Sequence, residues 1–235
     1  MATDDWPQLD AFLFDAGGVL VLPDPAVLGP ALAPYGADPS PAGHERAHYG
    51  AMAAKSRSGE GETEWGSYNR AYVRSLGVAA HDEDEAAVVL GRTRHAHLWR
   101  APIAGAADGL RQLAAAGYVV GVVSNASGQI ESVLRRFGVC QVGPGDGASV
   151  RCVVDSEVVG VAKPNRAIFG FGLAALDGIP AHRVGYVGDS VVMDVEGARA
   201  AGLHPFLVDP FNDWPDADFD RVLGVADLAR RAGLA

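Results

Sequence analysis

The sequence predicts an α/β protein whose core is a parallel β-sheet with helices on both faces. Short apolar runs that could form buried strands alternate with longer stretches that have helical spacing. Polar residues suited to chemistry follow several of these runs. Apolar residues make up 49% of the 235-residue chain, which is enough to bury a core. One main domain with an inserted segment fits this length better than two large domains.

The apolar runs predict five strands, at residues 11–14, 118–123, 152–154, 184–187 and 206–208. The intervening patterns predict helices at residues 104–115, 130–137 and 164–176, from the fourth strand to residue 201, and at residues 220–231. Gly117, Gly138 and Gly202 lie where three of these helices are expected to end. The glycine-rich residues 143–147 predict a flexible loop that follows no strand.

Residues 23–100 differ from the rest because they are richer in His, Arg, Glu, Tyr and Trp and show no strand-like alternation. The stretches 65–76 and 83–99 are long enough for helices and contain no proline. We therefore assign residues 23–100 to a small helical cap domain, and residues 1–22 and 101–235 to the core. The histidines of the predicted cap domain match no metal motif and are assigned no role. The basic residues of this domain are candidate contacts for an anionic substrate, and none stands out: Arg46, Lys55, Arg57, Arg92, Arg94 and Arg100.

Charge and hydropathy exclude several classes of partner. The net charge of −10 argues against binding nucleic acid, whose phosphates require a basic surface. It leaves open a small phosphorylated substrate in a local positive pocket. No apolar run has the length of a membrane span. Residues 1–6 lack the pattern of a secretory signal, so we expect a cytoplasmic location. The oligomeric state is left open.

Asp15 is the candidate nucleophile, because it ends the first predicted strand and begins a turn that contains Gly17 and Gly18. Glycines let the backbone bend sharply, so the amides of Ala16 and Gly17 could approach an anion. A carboxylate in this position could attack phosphorus and form an aspartyl-phosphate. Taken alone, Asp15 could equally be a turn-forming residue.

Asp189 provides a second acid at the end of another predicted strand. The loops at the carboxyl ends of parallel strands share one edge of the sheet, so Asp15 and Asp189 are expected to meet there. Two carboxylates with a backbone carbonyl and waters suit Mg²⁺, which would offset the repulsion between a carboxylate and a phosphate. Asp194 lies one helical turn beyond Ser190 and could support Asp189, or be a solvated helix residue.

Lys163, Ser124 and Asn125 complete the predicted site. Lys163 is one of only two lysines in the chain and lies in a loop before Pro164, where it could contact the transferring phosphoryl group. Ser124 and Asn125 end a strand, so their hydroxyl and amide groups point toward the same crevice. Alone, these two residues could also be a turn or a helix cap.

Taken together, these motifs resemble those of the haloacid dehalogenase-like (HAD) hydrolase superfamily, in particular its members with a helical cap after the first motif. The segment 188–198, which reads Gly-Asp-Ser-x-x-x-Asp-x-x-Gly-Ala, is the most specific of them. The resemblance implies a Rossmann-like core and a nucleophilic Asp15. It implies phosphate binding by Ser124 and Lys163. It also implies Mg²⁺ ligation by Asp15, the Gly17 carbonyl and Asp189.

Gly17 departs from the family pattern, since most phosphatases of the superfamily have a second Asp there that acts as general acid and base. General acid–base catalysis of this kind typically raises the rate by about 10²–10⁴-fold. The loss of this contribution should matter most for alkyl phosphates, because alkoxides are poor leaving groups. We therefore expect a preference for good leaving groups, and we expect Gly17→Asp to raise turnover of alkyl phosphates.

The leading interpretation is a Mg²⁺-dependent phosphohydrolase that acts on a small phosphorylated metabolite through an aspartyl-phosphate. One alternative is a metal-independent haloacid dehalogenase, in which the same Asp attacks carbon. Asp189 argues against it, because a metal-binding acid would repel a carboxylate substrate. The other alternative is a HAD-fold binding protein with little turnover, which the loss of an acid at Gly17 keeps open.

Overall fold

The computed structural model describes residues 6–95 and 97–233. Residues 1–5, 96, 234 and 235 lie outside the described residues. Residues 1–6, on which the prediction about a secretory signal depends, therefore lie mostly outside the described residues. The two ends of the predicted core domain also lie outside them.

Ten strands and ten helices are found in the described ranges, together with short 3₁₀ segments and one π-helical turn at Val191–Val195. The strands are β1 (Ala11–Phe14), β2 (Val21–Pro23), β3 (Trp99–Pro102), β4 (Val119–Ser124), β5 (Cys140–Val142), β6 (Ala148–Val150), β7 (Val153–Asp155), β8 (Val184–Gly188), β9 (His204–Val208) and β10 (Asp220–Val222). The helices are α1 (Pro25–Leu32), α2 (Pro41–Arg57), α3 (Gly66–Ser75), α4 (Glu83–Thr93), α5 (Ala106–Ala115), α6 (Ile130–Arg136), α7 (Ser156–Val159), α8 (Ala167–Ala174), α9 (Glu196–Ala200) and α10 (Val225–Arg231).

The core is a six-stranded parallel sheet in the order β10-β9-β8-β1-β4-β7, which confirms the predicted α/β class. All four residues of β1 are buried, as expected for an apolar run covered on both faces. Along the chain, β4 and β7 are added on one side of β1, and β8, β9 and β10 are then added on its other side. The strand order therefore reverses between β1 and β8, where open α/β sheets bind their ligands.

Helices cover both faces of this sheet. One face packs against α5, α6 and α10, which contribute the buried Leu110, Leu134 and Leu228. The other face packs against α8 and α9, which contribute Phe169 and Ala198. The sheet is thus held between two apolar layers.

Helices α1–α4 form a separate layer that follows β2 and ends before β3. Their facing sides contain the buried Leu28, Ala51, Tyr72 and Leu90, which form a cluster of their own. In α2, Pro41 occupies the first turn and the Ser40 hydroxyl accepts a hydrogen bond from the amide of Gly43, which fixes the helix start. We call residues 23–100 the cap segment. The domain boundaries at residues 22/23 and 100/101 stay predictions.

Several predicted elements differ from the observed ones. Residues 220–231 are not one helix, because Asp220–Val222 pairs with β9 as an edge strand before α10 begins. The glycine-rich residues 143–147 do follow a strand, since β5 directly precedes them and pairs with β6. The helix predicted at residue 164 starts at Ala167, after a cis Lys163–Pro164 peptide bond. The helix predicted to reach residue 99 ends at Thr93, and Trp99 begins β3.

The short length of some elements explains part of these errors. Three-residue strands such as β10 are shorter than the window in which periodicity can be recognised. The helix after β8 is also split, because Val191–Val195 forms a π-turn before α9. In the described ranges, none of the helices combines the length and the apolar character that crossing a membrane requires.

Candidate active site

Asp15 lies directly beyond β1, where the sheet order reverses. Its amide donates a hydrogen bond to the carbonyl of Val187 at 2.8 Å, so the chain stays in register with β8 for one residue past the strand. The side chain is buried, with 9% of the residue exposed. Its Oδ1 accepts a 2.7 Å hydrogen bond from the amide of Ala16. Its Oδ2 forms a 2.9 Å ion pair with the Lys163 Nζ.

Lys163 connects the two halves of the acidic site. Its Nζ donates hydrogen bonds to the Oδ1 of Asp194 at 2.6 Å and to the hydroxyl of Tyr186 at 3.0 Å. The Tyr186 hydroxyl in turn donates to the carbonyl of Val123 at 2.9 Å, so it is fixed as an acceptor for the lysine. Burial alone would lower the pKa of Lys163, but the carboxylates of Asp15 and Asp194 outweigh it and hold that pKa well above its usual value.

Asp194 supports the loop that carries Asp189. Its Oδ2 accepts hydrogen bonds from the amides of Asp189 at 3.0 Å and Ser190 at 2.9 Å. The π-turn that follows Ser190 directs the Asp194 side chain back under this loop. Both of its oxygens therefore already have partners, which suits the supporting role expected from the sequence.

Three buried carboxylates meet at this edge, because oxygen atoms of Asp15, Asp189 and Asp194 lie within 4.8 Å of one another. Burial raises the pKa of Asp15 to about 7; Lys163 opposes the rise, and Asp194 and Asp189 add to it. Burial also raises the pKa of Asp189. Burial is the main cause of both shifts, and the neighbouring carboxylates add to them.

These residues fit a divalent cation. When all three carboxylates are ionised, as they are once a cation binds, the ammonium group of Lys163 offsets one of the three negative charges and leaves two. Oxygen ligands of this kind are those that Mg²⁺ prefers. Gly18 leaves the space open: it has a φ of +65°, and a Cβ there would lie 1.9 Å from the Oδ2 of Asp189. Asp15 and Asp189, with the Gly17 carbonyl, are the residues that would hold the cation.

Ser124 and Asn125 follow β4 at the same edge. Ser124 is buried and lines the cavity above Asp15. The Asn125 Oδ1 accepts a 2.7 Å hydrogen bond from the Lys163 amide, and its Nδ2 donates to the Lys163 carbonyl at 3.1 Å. The same Nδ2 donates to the Oε2 of Glu62 at 2.8 Å. Asn125 thus clamps the backbone of Lys163 and connects it to the cap segment, while Ser124 faces the cavity.

The cavity between core and cap segment has a volume of about 260 Å³. Its floor contains Asp15, Asp189, Asp194 and Lys163, and its roof contains Lys55, Trp65 and Arg94 from the cap segment. All eight residues predicted for the site lie at this edge of the sheet. The sequence motifs therefore converge although 179 positions separate Asp15 from Asp194.

A family model described as haloacid dehalogenase-like hydrolase matches residues 9–202. The chain belongs to the haloacid dehalogenase-like hydrolase family. Haloacid dehalogenase-like hydrolase domain-containing protein 3 of Xenopus laevis is 36% identical over 115 residues, which are 49% of this chain. That match spans 43% of the relative's length.

Two solved structures have the same fold as this HAD-like hydrolase over nearly its whole length. A dehalogenase with an intermediate complex superposes with a TM-score of 0.60 at 19% identity, covering 95% of this chain and 96% of the other. The HAD-hydrolase YfnB of Bacillus subtilis, bound to magnesium, superposes with a TM-score of 0.59 at 18% identity, covering 95% and 98%. At these identities the likeness shows the fold alone.

Gly17 of this HAD-like hydrolase faces an aromatic ring. A Cβ at Gly17 would lie 3.2 Å from Cε3 and 3.3 Å from Cζ3 of Trp99. Gly17 does not have the positive φ of Gly18, so its backbone would accept a side chain. The indole of Trp99 therefore takes up the space into which a side chain at position 17 would extend.

His48 is a site residue that the sequence analysis left without a role. It lies on α2, is fully buried, and its Nε2 lies 2.8 Å from the Oδ2 of Asp189. Its Nδ1 lies 2.9 Å from the hydroxyl of Tyr68. His48, Met52 and Lys55 occupy positions i, i+4 and i+7, so they share one face of α2 toward the site. That spacing was visible in the sequence, but the docking of α2 on Asp189 was not.

Proposed function

We propose that this protein is a Mg²⁺-dependent phosphohydrolase that acts on a small phosphorylated metabolite through an aspartyl-phosphate on Asp15. The proposal depends mainly on one observation. Asp15, Asp189 and Asp194 form a buried cluster in which a single ammonium group leaves two negative charges unmatched. A divalent cation balances that excess. The magnesium bound to YfnB is consistent with such a site in this fold.

Asp15, Lys163 and Ser124 each have a role in this reaction. The ion pair with Lys163 and the hydrogen bond from Ala16 orient the carboxylate of Asp15 for attack on phosphorus. Lys163 and the hydroxyl of Ser124 bind the oxygens of the phosphoryl group. Bound Mg²⁺ would supply charge neutralisation for the approach of the two anions. As Asp15 bonds to phosphorus, the P–O bond to the rest of the substrate breaks, and the leaving oxygen departs as an anion that takes a proton from solvent. Water then attacks the aspartyl-phosphate, which releases inorganic phosphate and restores the carboxylate.

The cavity limits the size of the substrate. Its volume of about 260 Å³ lies below the range of about 300–1,000 Å³ that is typical of drug-sized ligands. A compact metabolite fits this space better than a nucleotide or a phosphoprotein. The absence of an acid at Gly17 favours a substrate whose leaving group needs no proton, such as an acyl or aryl phosphate.

Phosphate release from phenyl phosphate tests the reaction. With Mg²⁺ we expect steady turnover, which a chelator should abolish and added Mg²⁺ should restore. Asp15→Asn removes the nucleophile and should lower the rate by about 10³-fold or more. Its circular dichroism should match that of the native protein.

The same preparation distinguishes the alternative reaction. If chloride were released from 2-chloropropionate without metal while phenyl phosphate stayed intact, the protein would be a dehalogenase and the proposal would be wrong. Asp15→Asn should abolish either activity, because both need the same nucleophile. Only the metal requirement and the released ion separate them.

A further inference from the structure

Lys55 is a buried cation without a hydrogen-bond partner. Only 2% of the residue is exposed, and it lines the roof of the cavity. Its Nζ has no hydrogen-bond acceptor among the described residues 6–95 and 97–233. It lies 3.4 Å from the centre of the Trp65 ring, which holds it by a cation–π contact. A buried ammonium group in this state is costly unless something else supplies an acceptor.

Arg94 also lies over the ring of Trp65. Its Cζ is 4.1 Å from the centre of Trp65, and one of its terminal nitrogens donates to the Oδ1 of Asn69 at 2.8 Å. The ring and the amide together fix the plane of the guanidinium group. Arg94 also lines the cavity. Lys55 and Arg94 are therefore two cations of the roof that both contact Trp65.

The charges around the roof indicate what kind of group it binds. Glu62 is the carboxylate of the cap segment that lines the cavity, and its Oε2 accepts from Asn125. Glu60 also lies near Lys55, but its oxygens accept from the amide of Ser67. Lys55 and Arg94 against Glu62 leave one positive charge facing the cavity. Burial lowers the pKa of Lys55 to about 8, so it is still mostly protonated at neutral pH.

We propose that the substrate carries a carboxylate as well as its phosphoryl group, and that Lys55 and Arg94 bind this carboxylate against Trp65. This assignment rests on the proposed phosphohydrolase function and specifies its substrate class. A carboxylate matches the single excess positive charge of the roof, whereas a second phosphate would exceed it. The planar guanidinium of Arg94 also suits the two oxygens of a carboxylate.

The remaining apolar lining of the cavity suits a short carbon chain between the phosphoryl group and the carboxylate of the substrate. Met52, Met193 and Trp99 also line the cavity and offer apolar contacts. A phosphate ester of a small hydroxy acid would place its phosphoryl group at Asp15 and its carboxylate at the roof. The neutral middle of such a molecule would contact these three side chains.

Binding of two phosphonates tests the carboxylate site independently of turnover. The probes are 2-carboxyethylphosphonate and its amide, 2-carbamoylethylphosphonate, measured by calorimetry with Mg²⁺. We expect the native protein to bind the carboxylate about 10-fold more tightly or better, as for a charge-assisted pair. Lys55→Met should remove most of this preference, and Arg94→Gln should weaken it. Arg92→Gln, which changes an exposed arginine two residues away, should leave it intact.

Several outcomes would overturn the assignment. Equal affinity of the native protein for acid and amide would do so, as would failure of both to bind at millimolar concentration. Equal effects of Lys55→Met and Arg92→Gln would also contradict it. Tighter binding of ethane-1,2-bisphosphonate than of the carboxylate would assign the roof to a second phosphate instead. If Lys55→Met does not fold, Arg94→Gln against Arg92→Gln makes the same comparison.

Turnover then separates this inference from the proposed function. The phosphate esters 2-carboxyethyl phosphate and 2-carbamoylethyl phosphate repeat the comparison with phosphate release as the readout. Release from phenyl phosphate without any preference for the carboxylate would support the phosphohydrolase and reject the roof site. Preference for the carboxylate phosphonate without release from any ester would support the roof site and reject the reaction.

Discussion

The two lysines of this protein lie on opposite sides of one cavity and differ in what their ammonium groups contact. Lys163, on the core side, contacts two carboxylates and a tyrosine hydroxyl, all within 3.0 Å. Lys55, on the side of the cap segment, lies over the face of Trp65, and its ammonium group has no hydrogen-bond acceptor among the described residues. Both are almost fully buried. The difference therefore does not come from solvent.

This comparison indicates which half of the site is complete without a ligand. On the core side, the positions of Asp15, Lys163 and Asp194 are fixed by mutual hydrogen bonds, as expected for groups that must be preorganised for chemistry. On the side of the cap segment, the ammonium group of Lys55 has no hydrogen-bond acceptor among the described residues. In the proposed function, the core would therefore carry out the reaction and the cap segment would select the substrate.

The largest effect that we expect is a difference between the two lysine-to-methionine variants. Lys163→Met leaves Asp15 and Asp194 buried without a cation, which should lower the free energy of unfolding by about 3–5 kcal/mol. Lys55→Met replaces an ammonium group that has no hydrogen bond by an apolar group of similar volume. It should change the free energy of unfolding by less than about 1 kcal/mol. Urea unfolding in metal-free buffer measures both.

Equal destabilisation by the two substitutions would contradict the comparison, since it would mean that Lys55 has a partner of the same strength as Lys163. Activity gives a second measure. Lys163→Met should abolish release of phosphate from phenyl phosphate, whereas Lys55→Met should retain it, because phenyl phosphate has no carboxylate for the roof to bind.

The core half was largely predictable from the sequence. Asp15, Ser124 and Asp189 each follow a short apolar run, and the parallel register of β1, β4 and β8 brings the ends of these runs together. No tertiary detail was needed beyond the rule that such strand ends share an edge. Lys163 was recognisable because lysine is rare in this chain and because this lysine precedes a proline.

The half formed by the cap segment was not predictable in the same way. His48 acquires its role only from contact with Asp189, 141 positions away, and Lys55 only from contact with Trp65 and the cavity. Both look like ordinary polar residues of a helix until the packing of α2 against the core is known. The sequence indicated candidate cations in this segment but could not choose among them.

A second substitution tests the contact between the two halves. His48→Phe keeps an aromatic ring but removes the hydrogen bonds to Asp189 and Tyr68, which leaves buried polar atoms without partners. We expect the free energy of unfolding to fall by about 1–3 kcal/mol. His81→Phe is the matched control, because the His81 side chain is 81% exposed. It should change stability by no more than about 0.5 kcal/mol. Similar values for both variants would show that the His48 contacts contribute nothing.

The smallest expected effect concerns Gly17, where the two halves meet at Trp99. The sequence predicts that Gly17→Asp alone raises turnover of alkyl phosphates, but the structure changes this expectation, because the new side chain must press on an indole that lies 3.2 Å from its Cβ. Gly17→Asp combined with Trp99→Leu gives the carboxyl group room to donate a proton to the leaving oxygen. We expect hydrolysis of ethyl phosphate to rise about 10-fold over Trp99→Leu alone, the low end of what general acid–base catalysis contributes. Phenyl phosphate, which leaves more readily, should gain less. If the double variant still hydrolyses phenyl phosphate but gains nothing on ethyl phosphate, the missing acid at position 17 is not what limits this enzyme.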